Sequence, residues 1–291
     1  MEQPSHTSCG GLFEAGILTE KQPIRSNGHQ MNGTNVRKHN QKSWDNQVDY
    51  NNRWTQSVDR ETIEKARTGH FAIVLTPTKP VPAAWFPTLK GAKTLCLASA
   101  GGQQAPILAA AGAKVTVFDN SPKQLDQDRF VANRDGLEMR FVEGDMADLS
   151  IFTDESFDLI FHPCSNTFVP KVNPVWRECY RVLQNGGILM AGFTNPLRYM
   201  FDDERKENGN LEVRYPLPYS DLDHVDEDHI RTAIEDGKPL EFGHTLEDQI
   251  GGQLRAGFVL TAFFEDRYPE SDNDPLSAFL DTFIATRAIK Q

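Results

Sequence analysis

The chain has 291 residues, of which 38% are hydrophobic and 24% charged, enough for one large or two small globular domains. It holds no apolar run of about 18 residues and no basic start followed by an apolar core, so neither a membrane span nor secretion is indicated. The net charge of −11 argues against nonspecific nucleic-acid binding, and residues 200–250, with 15 acidic and 5 basic side chains, carry nearly all of that imbalance. Cys9, Cys96, Cys164 and Cys179 include no C-x-x-C pair, which fits a reduced, cytoplasmic setting.

Residues 1–35 are rich in Gly, Ser, Asn and Gln with little periodicity, and read as a disordered leader. Residues 36–90 read as an N-terminal cap: a polar-aromatic helical stretch over 36–70 with Trp44, Tyr50 and Trp54, then an irregular connector with Pro77, Pro80, Pro82 and Pro87. The main domain is expected over 91–291.

From Lys93 the pattern alternates. Thr94–Ala98 reads as a strand and Gln103–Ala111 as a helix that tolerates Pro106 in its first turn and stops at Gly112. Lys114–Phe118 is the second strand. Ser121-Pro122 supplies an N-cap and a first-turn proline for a helix to about Asp135. Glu138–Glu143 and Phe157–His162 are the third and fourth strands. Asn173-Pro174 reads as another cap, for a helix with Val175, Trp176, Cys179, Val182 and Leu183 at helical spacing. Gln184–Gly187 is expected to turn the chain into a fifth strand, Ile188–Phe193. An acidic and aromatic insertion over 196–245 follows. Thr245 caps a helix expected to bury Leu246, Ile250 and Leu254, Gly257 ends it, and strands at Phe258–Phe264 and about Phe279–Ala288 complete the chain. Repeated strand–helix–strand units imply a doubly wound α/β fold with a mainly parallel sheet covered on both faces.

Four signals fall at carboxyl ends of predicted strands, where ligands bind in open parallel sheets. They are the small-residue turn Ala98–Gly102, Asp119, the run Gly144-Asp145-Met146-Ala147, and the end of the fourth strand at His162. Small residues admit a ligand to the backbone, and a carboxylate at Asp119 accepts hydrogen bonds from two ribose hydroxyls. Asp145 suits an exocyclic amine such as that of adenine. Each acid also has a plainer reading: Asp119 as a cap before Ser121-Pro122, Asp145 as a cap of the turn at Ala147.

Leu95–Gln104, Val117–Ser121, Gly144–Ala147, Phe157–Pro163 and Arg181–Leu189 resemble, in order and spacing, the class I S-adenosylmethionine-dependent methyltransferases. The resemblance covers about residues 90–195 well. It implies a seven-stranded sheet with an antiparallel last strand, and transfer of a methyl group from the sulfonium of S-adenosylmethionine, leaving S-adenosylhomocysteine. Carried over, Ala98, Gly101, Gly102 and Gln103 line the methionine and ribose part. Asp119 holds the ribose, with Asn120, Ser121 and Gln124 beside the adenosine, and Asp145 and Met146 flank the adenine. His162 stands near the sulfonium, as a cofactor contact and candidate base, or as a satisfied histidine at a strand end. The chain departs from the family turn at three places: Cys96 replaces its acid, and Ala98 and Ala100 replace glycines.

The aromatic residues of the cap, Trp44, Tyr50 and Trp54, are candidates for lid or substrate contact. The run Asp221–His229 reads as a solvated acidic face, since its histidines are five apart and match no common metal pair. G-x-S-x-G, the P-loop and zinc-type cysteine spacing are absent. His162-Pro163-Cys164-Ser165 stands where an Asn-Pro-Pro-Tyr-like tetrad would mark amide or base nitrogen methylation. The expected function is therefore methyl transfer to a small-molecule acceptor, with no nucleic-acid or membrane partner and no metal. The alternatives are an RNA or protein methyltransferase, an NAD(P)-dependent oxidoreductase, and a non-catalytic cofactor-binding protein.

Overall fold

The computed structural model describes residues 33–99, 101–202, 206, 209–225 and 227–291. The leader expected over 1–35 lies outside them except for its last three positions, which open a helix. The strands are β1 (Lys93–Leu97), β2 (Lys114–Asp119), β3 (Met139–Glu143), β4 (Phe157–His162), β5 (Leu183–Thr194), β6 (Tyr219–Ser220), β7 (Phe242–Gly243), β8 (Phe258–Asp266) and β9 (Phe283–Lys290). Seven of them form one sheet in the order β3-β2-β1-β4-β5-β9-β8, and β6 and β7 pair separately. The first five strands of that sheet run parallel, while β9 is antiparallel to β5 and β8.

Alternation along the strands divides the core in two. Cys96, Val115, Val117, Leu159, Phe161 and Met190 face one cluster, which takes in Ile63 and Ala66 of α2 (Arg60–Arg67), Ile107 and Leu108 of α3 (Gln104–Ala110), and Leu125 and Val131 of α4 (Pro122–Asp135). Leu95, Leu97, Phe118, Ile160 and Leu189 face the other, against Val175, Trp176, Cys179 and Val182 of α5 (Asn173–Val182). A strand covered on both faces needs an unbroken apolar run, which β1 supplies with Leu95-Cys96-Leu97.

Several local expectations are corrected. The cap is not one helix: α1 (Gly33–Asp49) stops, Asn52 accepts from the Trp54 N–H, and α2 restarts where Asp59 accepts from the Thr62 N–H at 2.8 Å. Asn173 is the first residue of α5 rather than its cap, and its amide donates to Asp248 at 2.9 Å. Gln184–Gly187 is not a turn but a bulge within β5: Phe157 pairs with Leu183, and the ladder resumes at Leu159 and Ile188. β9 begins at Phe283, since Phe279 sits on a 3₁₀ turn and is 77% exposed.

The helix after Thr245 is also turned over. Thr245 Oγ1 accepts from the Asp248 N–H at 3.1 Å, as a cap does. A wide π turn over Glu247–Gly251 then shifts the register, so that Leu246 and Leu254 are 43% and 52% exposed while Gln249 and Gln253 are buried. Both glutamines are satisfied there. Gln249 Oε1 accepts from Asn166 at 3.2 Å and Gln253 Oε1 from Thr286 at 3.1 Å. Gly252 leaves the room that the Trp176 ring fills, since a Cβ there would stand 2.6 Å from Trp176 Cδ1.

Candidate active site

A cavity of about 1230 Å3 opens beyond the carboxyl ends of β1, β2, β3 and β4. Its first wall is made by residues that end strands. β1 passes into Ala98, whose φ of 45° is a left-handed conformation that costs a residue with a Cβ roughly 1–2 kcal/mol. Gly102 has φ 75°, and a Cβ on it would stand 2.5 Å from Ser57 Oγ. Glycine is required there both by conformation and by contact. The Gly101 N–H donates to Gln124 Oε1 at 2.6 Å, which docks the turn on α4. Gln103 Nε2 donates to the carbonyls of Arg53 and Gln56 at 3.0 and 3.1 Å, which ties the turn to the chain between α1 and α2.

Asp119 ends β2 on the cavity wall, where its Oδ1 accepts from the Ser121 N–H at 2.9 Å. Burial pushes its carboxyl up to about 7, with the charge of Asp45 adding to the rise and the N–H groups of Ser121 and Asn120 opposing it. Asp145, after β3, lines the same wall with Met146 and Ala147, and its Oδ1 accepts from the Ala147 N–H at 2.9 Å. Gly144 packs flat on Phe118, since a Cβ there would stand 2.1 Å from the ring.

α1 lies over these strand ends. Arg37 Nε donates to Asn120 Oδ1 at 2.9 Å, and Gln41 Nε2 donates to the Asn120 carbonyl at 2.7 Å. Ser121 Oγ donates to Asp45 Oδ1 at 2.6 Å. Asn40 holds the insertion, exchanging hydrogen bonds with the Leu240 backbone at 3.0 and 2.8 Å. The opposite wall comes from the insertion. Tyr199 and Tyr219 stack at 5.3 Å, Tyr219 stacks on His224 at 5.3 Å, and Tyr215 leans on Tyr219 at 5.3 Å. Tyr199 donates to Glu241 at 2.7 Å and is also bonded to Thr167.

Of the residues singled out in the sequence, Ala98, Gln103, Asp119, Asn120, Gln124, Asp145, Met146, Trp44 and Trp54 lie on the cavity wall. Trp44 meets Phe168 edge-on at 5.1 Å, and the Arg53 guanidinium sits 4.4 Å from the Trp54 ring. Gly101 and Gly102 stand behind the wall, in the turn. Ser121 is behind it too, as the cap of α4: its Oγ accepts from the Gln124 N–H at 3.1 Å.

Two expectations fail. Tyr50 is 74% exposed and off the cavity, because α1 ends one residue before it. His162 is fully buried and off the cavity. Its Nδ1 is 2.9 Å from the Leu97 carbonyl and its Nε2 2.8 Å from Asn166 Oδ1, so both ring nitrogens are occupied within the core. Burial holds the ring below its ordinary pKa. Enclosed in the core and off the cavity wall, the ring is out of reach of an acceptor bound there.

Sequence reading missed Arg37, Asn40 and Gln41 of α1 and the wall of Tyr199, Tyr215, Tyr219 and His224. The insertion's aromatic content was the available signal, but which tyrosines converge depends on the β6–β7 ladder. Also missed was Asp128, buried on α4, whose charge helps to raise the Cys96 thiol. The acidic run Asp221–His229 is described in part. Tyr219 donates to Asp221 at 2.7 Å and His224 joins the aromatic wall, while Asp226 and the side chain of His229 lie outside the described residues.

Residues 95–191 match a family model described as a methyltransferase domain. Over 252 residues the chain is 51% identical to a Bacillus subtilis (strain 168) protein named as an uncharacterized methyltransferase, YbaJ, covering 87% of this chain and 97% of that one. A sterol 24-C-methyltransferase of Neurospora crassa is 28% identical over 200 residues, 64% of this chain and 47% of that protein. The crystal structure of an S-adenosylmethionine-dependent methyltransferase from Mesorhizobium loti aligns with a TM-score of 0.51 at 19% identity, covering 71% of this chain and 94% of that one. At that identity the likeness is one of fold.

Proposed function

The chain belongs to the class I S-adenosylmethionine-dependent methyltransferases, and from that premise we propose that it methylates a small molecule held between the strand ends and the tyrosine wall. The observation that carries this reading is the cavity itself. One end offers two carboxylates, Asp119 and Asp145, and the other is aromatic. Its volume of about 1230 Å3 exceeds the roughly 300–1,000 Å3 that suits a single drug-sized ligand, so it suits two reactants side by side.

The residues fit the cofactor. Asp119 presents a carboxylate at the wall, and Gln104 Oε1 is a buried acceptor on the same wall that has no partner among the described residues. When bound, the cofactor supplies a methyl group on a sulfonium, already activated for displacement. Asp119 would accept from the ribose hydroxyls and Asp145 from the adenine amine, with Phe118 and Met146 along the base. The protein's task is then alignment. An in-line approach needs the acceptor atom about 3 Å from the methyl carbon with water kept out. α1 and the insertion form the walls that would exclude it. With His162 enclosed, no side chain is given the role of base, and a proton released by the acceptor leaves to bulk water.

The insertion also bears on the substrate. The sequence over 200–250 carries a net charge of −10, which disfavours a phosphate backbone as partner and so favours a small molecule over RNA. The test is methyl transfer from radiolabelled S-adenosylmethionine to a panel of phenols, thiols and amines, with bulk tRNA and unfolded protein as competing acceptors. Label in the small-molecule fraction supports the reading. Label only in RNA or protein overturns it.

A further inference from the structure

The aromatic wall of the insertion is a column of rings. Tyr199 and Tyr219 lie 5.3 Å apart with 17° between their planes, and Tyr219 and His224 lie 5.3 Å apart with 19°. Backbone closes the foot of the column, since a Cβ on Gly243 would stand 2.6 Å from Tyr199 Cδ2. A carboxylate holds each hydroxyl along it. Tyr199 donates to Glu241 at 2.7 Å and is bonded to Thr167, just after β4, while Tyr219 donates to Asp221 Oδ1 at 2.7 Å. Asp221 Oδ2 accepts from the Glu241 N–H at 2.7 Å, which ties the two anchors together. The rings are fixed before a ligand arrives, and this lowers the ordering cost of binding.

His224, the last ring, differs from the others. It is half-buried on the cavity wall. Its Nδ1 is 3.1 Å from the Ser220 backbone, and nothing among the described residues bonds its Nε2. Nor does a described ring cover its second face. Tyr215 is 6.1 Å from His224 at 69° and only 5.3 Å from Tyr219 at 58°, so it stands beside the pair. A ring beyond His224 would be much further from Tyr219 than from His224. The same geometry argues against an ammonium acceptor, because a cation is drawn to an aromatic face. Tyr219 gives its faces to Tyr199 and His224, and Tyr199 gives its own to Tyr219 and Gly243. Tyr215 already carries the Arg214 guanidinium, 5.4 Å from its ring.

We propose that the methyl acceptor carries a planar aromatic ring, which lies on the face of His224 turned away from Tyr219 as the fourth ring of the column, with His224 Nε2 bonding a polar substituent on its rim. The inference rests on the small-molecule reading above and names the class of that molecule. Stacking favours an aromatic ring over a saturated one of the same size by roughly two- to tenfold in affinity. His224 is then a specificity-determining residue, which selects the acceptor and leaves the cofactor end untouched.

The test is calorimetry on the full chain saturated with S-adenosylhomocysteine. The probes are phenol and 2-naphthol, their saturated counterparts cyclohexanol and decahydro-2-naphthol, and tetramethylammonium as the cation. The aromatic member of each pair should bind about threefold tighter or more. His224→Ala and His224→Leu should abolish that preference, and His224→Phe, which restores a ring, should keep it. S-adenosylhomocysteine affinity should change by less than about twofold in all three variants. Equal binding within each pair, tighter binding of tetramethylammonium than of 2-naphthol, no binding of either aromatic probe by wild type, or a preference that survives His224→Ala and His224→Leu overturns the proposal. Loss of the preference in His224→Phe together with loss of cofactor affinity marks a merely structural role and overturns it too. The earlier readings fail differently: a wild type that binds no S-adenosylhomocysteine ends the cofactor reading, label only in RNA or protein ends the small-molecule reading, and this inference falls with either.

Discussion

Arg37 and Asn120 are bonded twice: Arg37 Nε donates to Asn120 Oδ1 at 2.9 Å, and Asn120 Nδ2 donates back to the Arg37 carbonyl at 3.0 Å. The pair joins α1 to the residue immediately after Asp119, so the helix that covers the cavity is fastened at the carboxylate assigned to the ribose. Asn120→Ala removes both bonds. At about 0.5–1.5 kcal/mol for each, S-adenosylhomocysteine affinity is expected to fall roughly fivefold or more, with new proteolytic cleavage within residues 33–49. Unchanged affinity and an unchanged digest would show that α1 is held by its other contacts alone.

Asp119 gives the cavity a pH dependence. Its carboxyl stands at about 7 in the folded chain against an ordinary value of 3.8. The folded state therefore keeps a proton that the unfolded state has lost, and stability falls as pH rises from about 4 through 7. At pH 8 the buried charge is a cost, so Asp119→Asn should melt higher than wild type there, with the difference gone by pH 4. Ligand affinity should run the other way, since the ionised carboxylate is the better acceptor for a diol. S-adenosylhomocysteine should bind wild type more tightly at pH 8 than at pH 6, and this slope should vanish in Asp119→Asn. Parallel trends in melting temperature and affinity would refute the assignment.

The turn after β1 makes opposite demands at two positions. Ala98 carries a Cβ at φ 45°, whereas Gly102 has φ 75° and no room for one beside Ser57. Ala98→Gly is expected to hold or raise the melting temperature, against the usual loss of about 1 kcal/mol for such a change in regular structure. Gly102→Ala should lower it and weaken S-adenosylhomocysteine binding. Differential scanning fluorimetry of both variants decides the matter, and the reverse ranking would mean that the turn is not strained as described.

His162 tests the division between core and site. Its ring bridges the Leu97 carbonyl and Asn166 inside the protein. His162→Asn should lower stability by about 1–3 kcal/mol, the cost of leaving a buried partner unpaired. The pH profile of turnover in the folded variant should keep its wild-type shape. Loss of a basic limb from that profile would restore His162 to catalysis.

Much of this was legible in the residues, for reasons that are local. Ser121-Pro122 caps α4 as read, because a hydroxyl before a proline serves a helix start in almost any context. The apolar runs of β1 and β2 place Ala98 and Asp119 at the carboxyl edge of the sheet. What was not legible depends on contacts distant in sequence. His162 looks like a site residue because it ends a strand, yet a four-residue hydrogen bond to Asn166 turns it inward. Leu246 and Leu254 have helical spacing, but the π turn and the space left by Gly252 bury Gln249 and Gln253 instead. The tyrosine wall needed the β6–β7 ladder, where Tyr219 pairs with Gly243, to bring Tyr219 to Tyr199.

The central claim is that the cavity at the end of β2 holds the cofactor through Asp119, and calorimetric titration with S-adenosylhomocysteine, with NAD as the comparison, tests it most directly. The account predicts binding of S-adenosylhomocysteine by wild type, a loss of tenfold or more in Asp119→Ala, about 1.4 kcal/mol, and no binding of NAD. Binding of NAD without S-adenosylhomocysteine, or an Asp119→Ala variant that binds as wild type does, would contradict it.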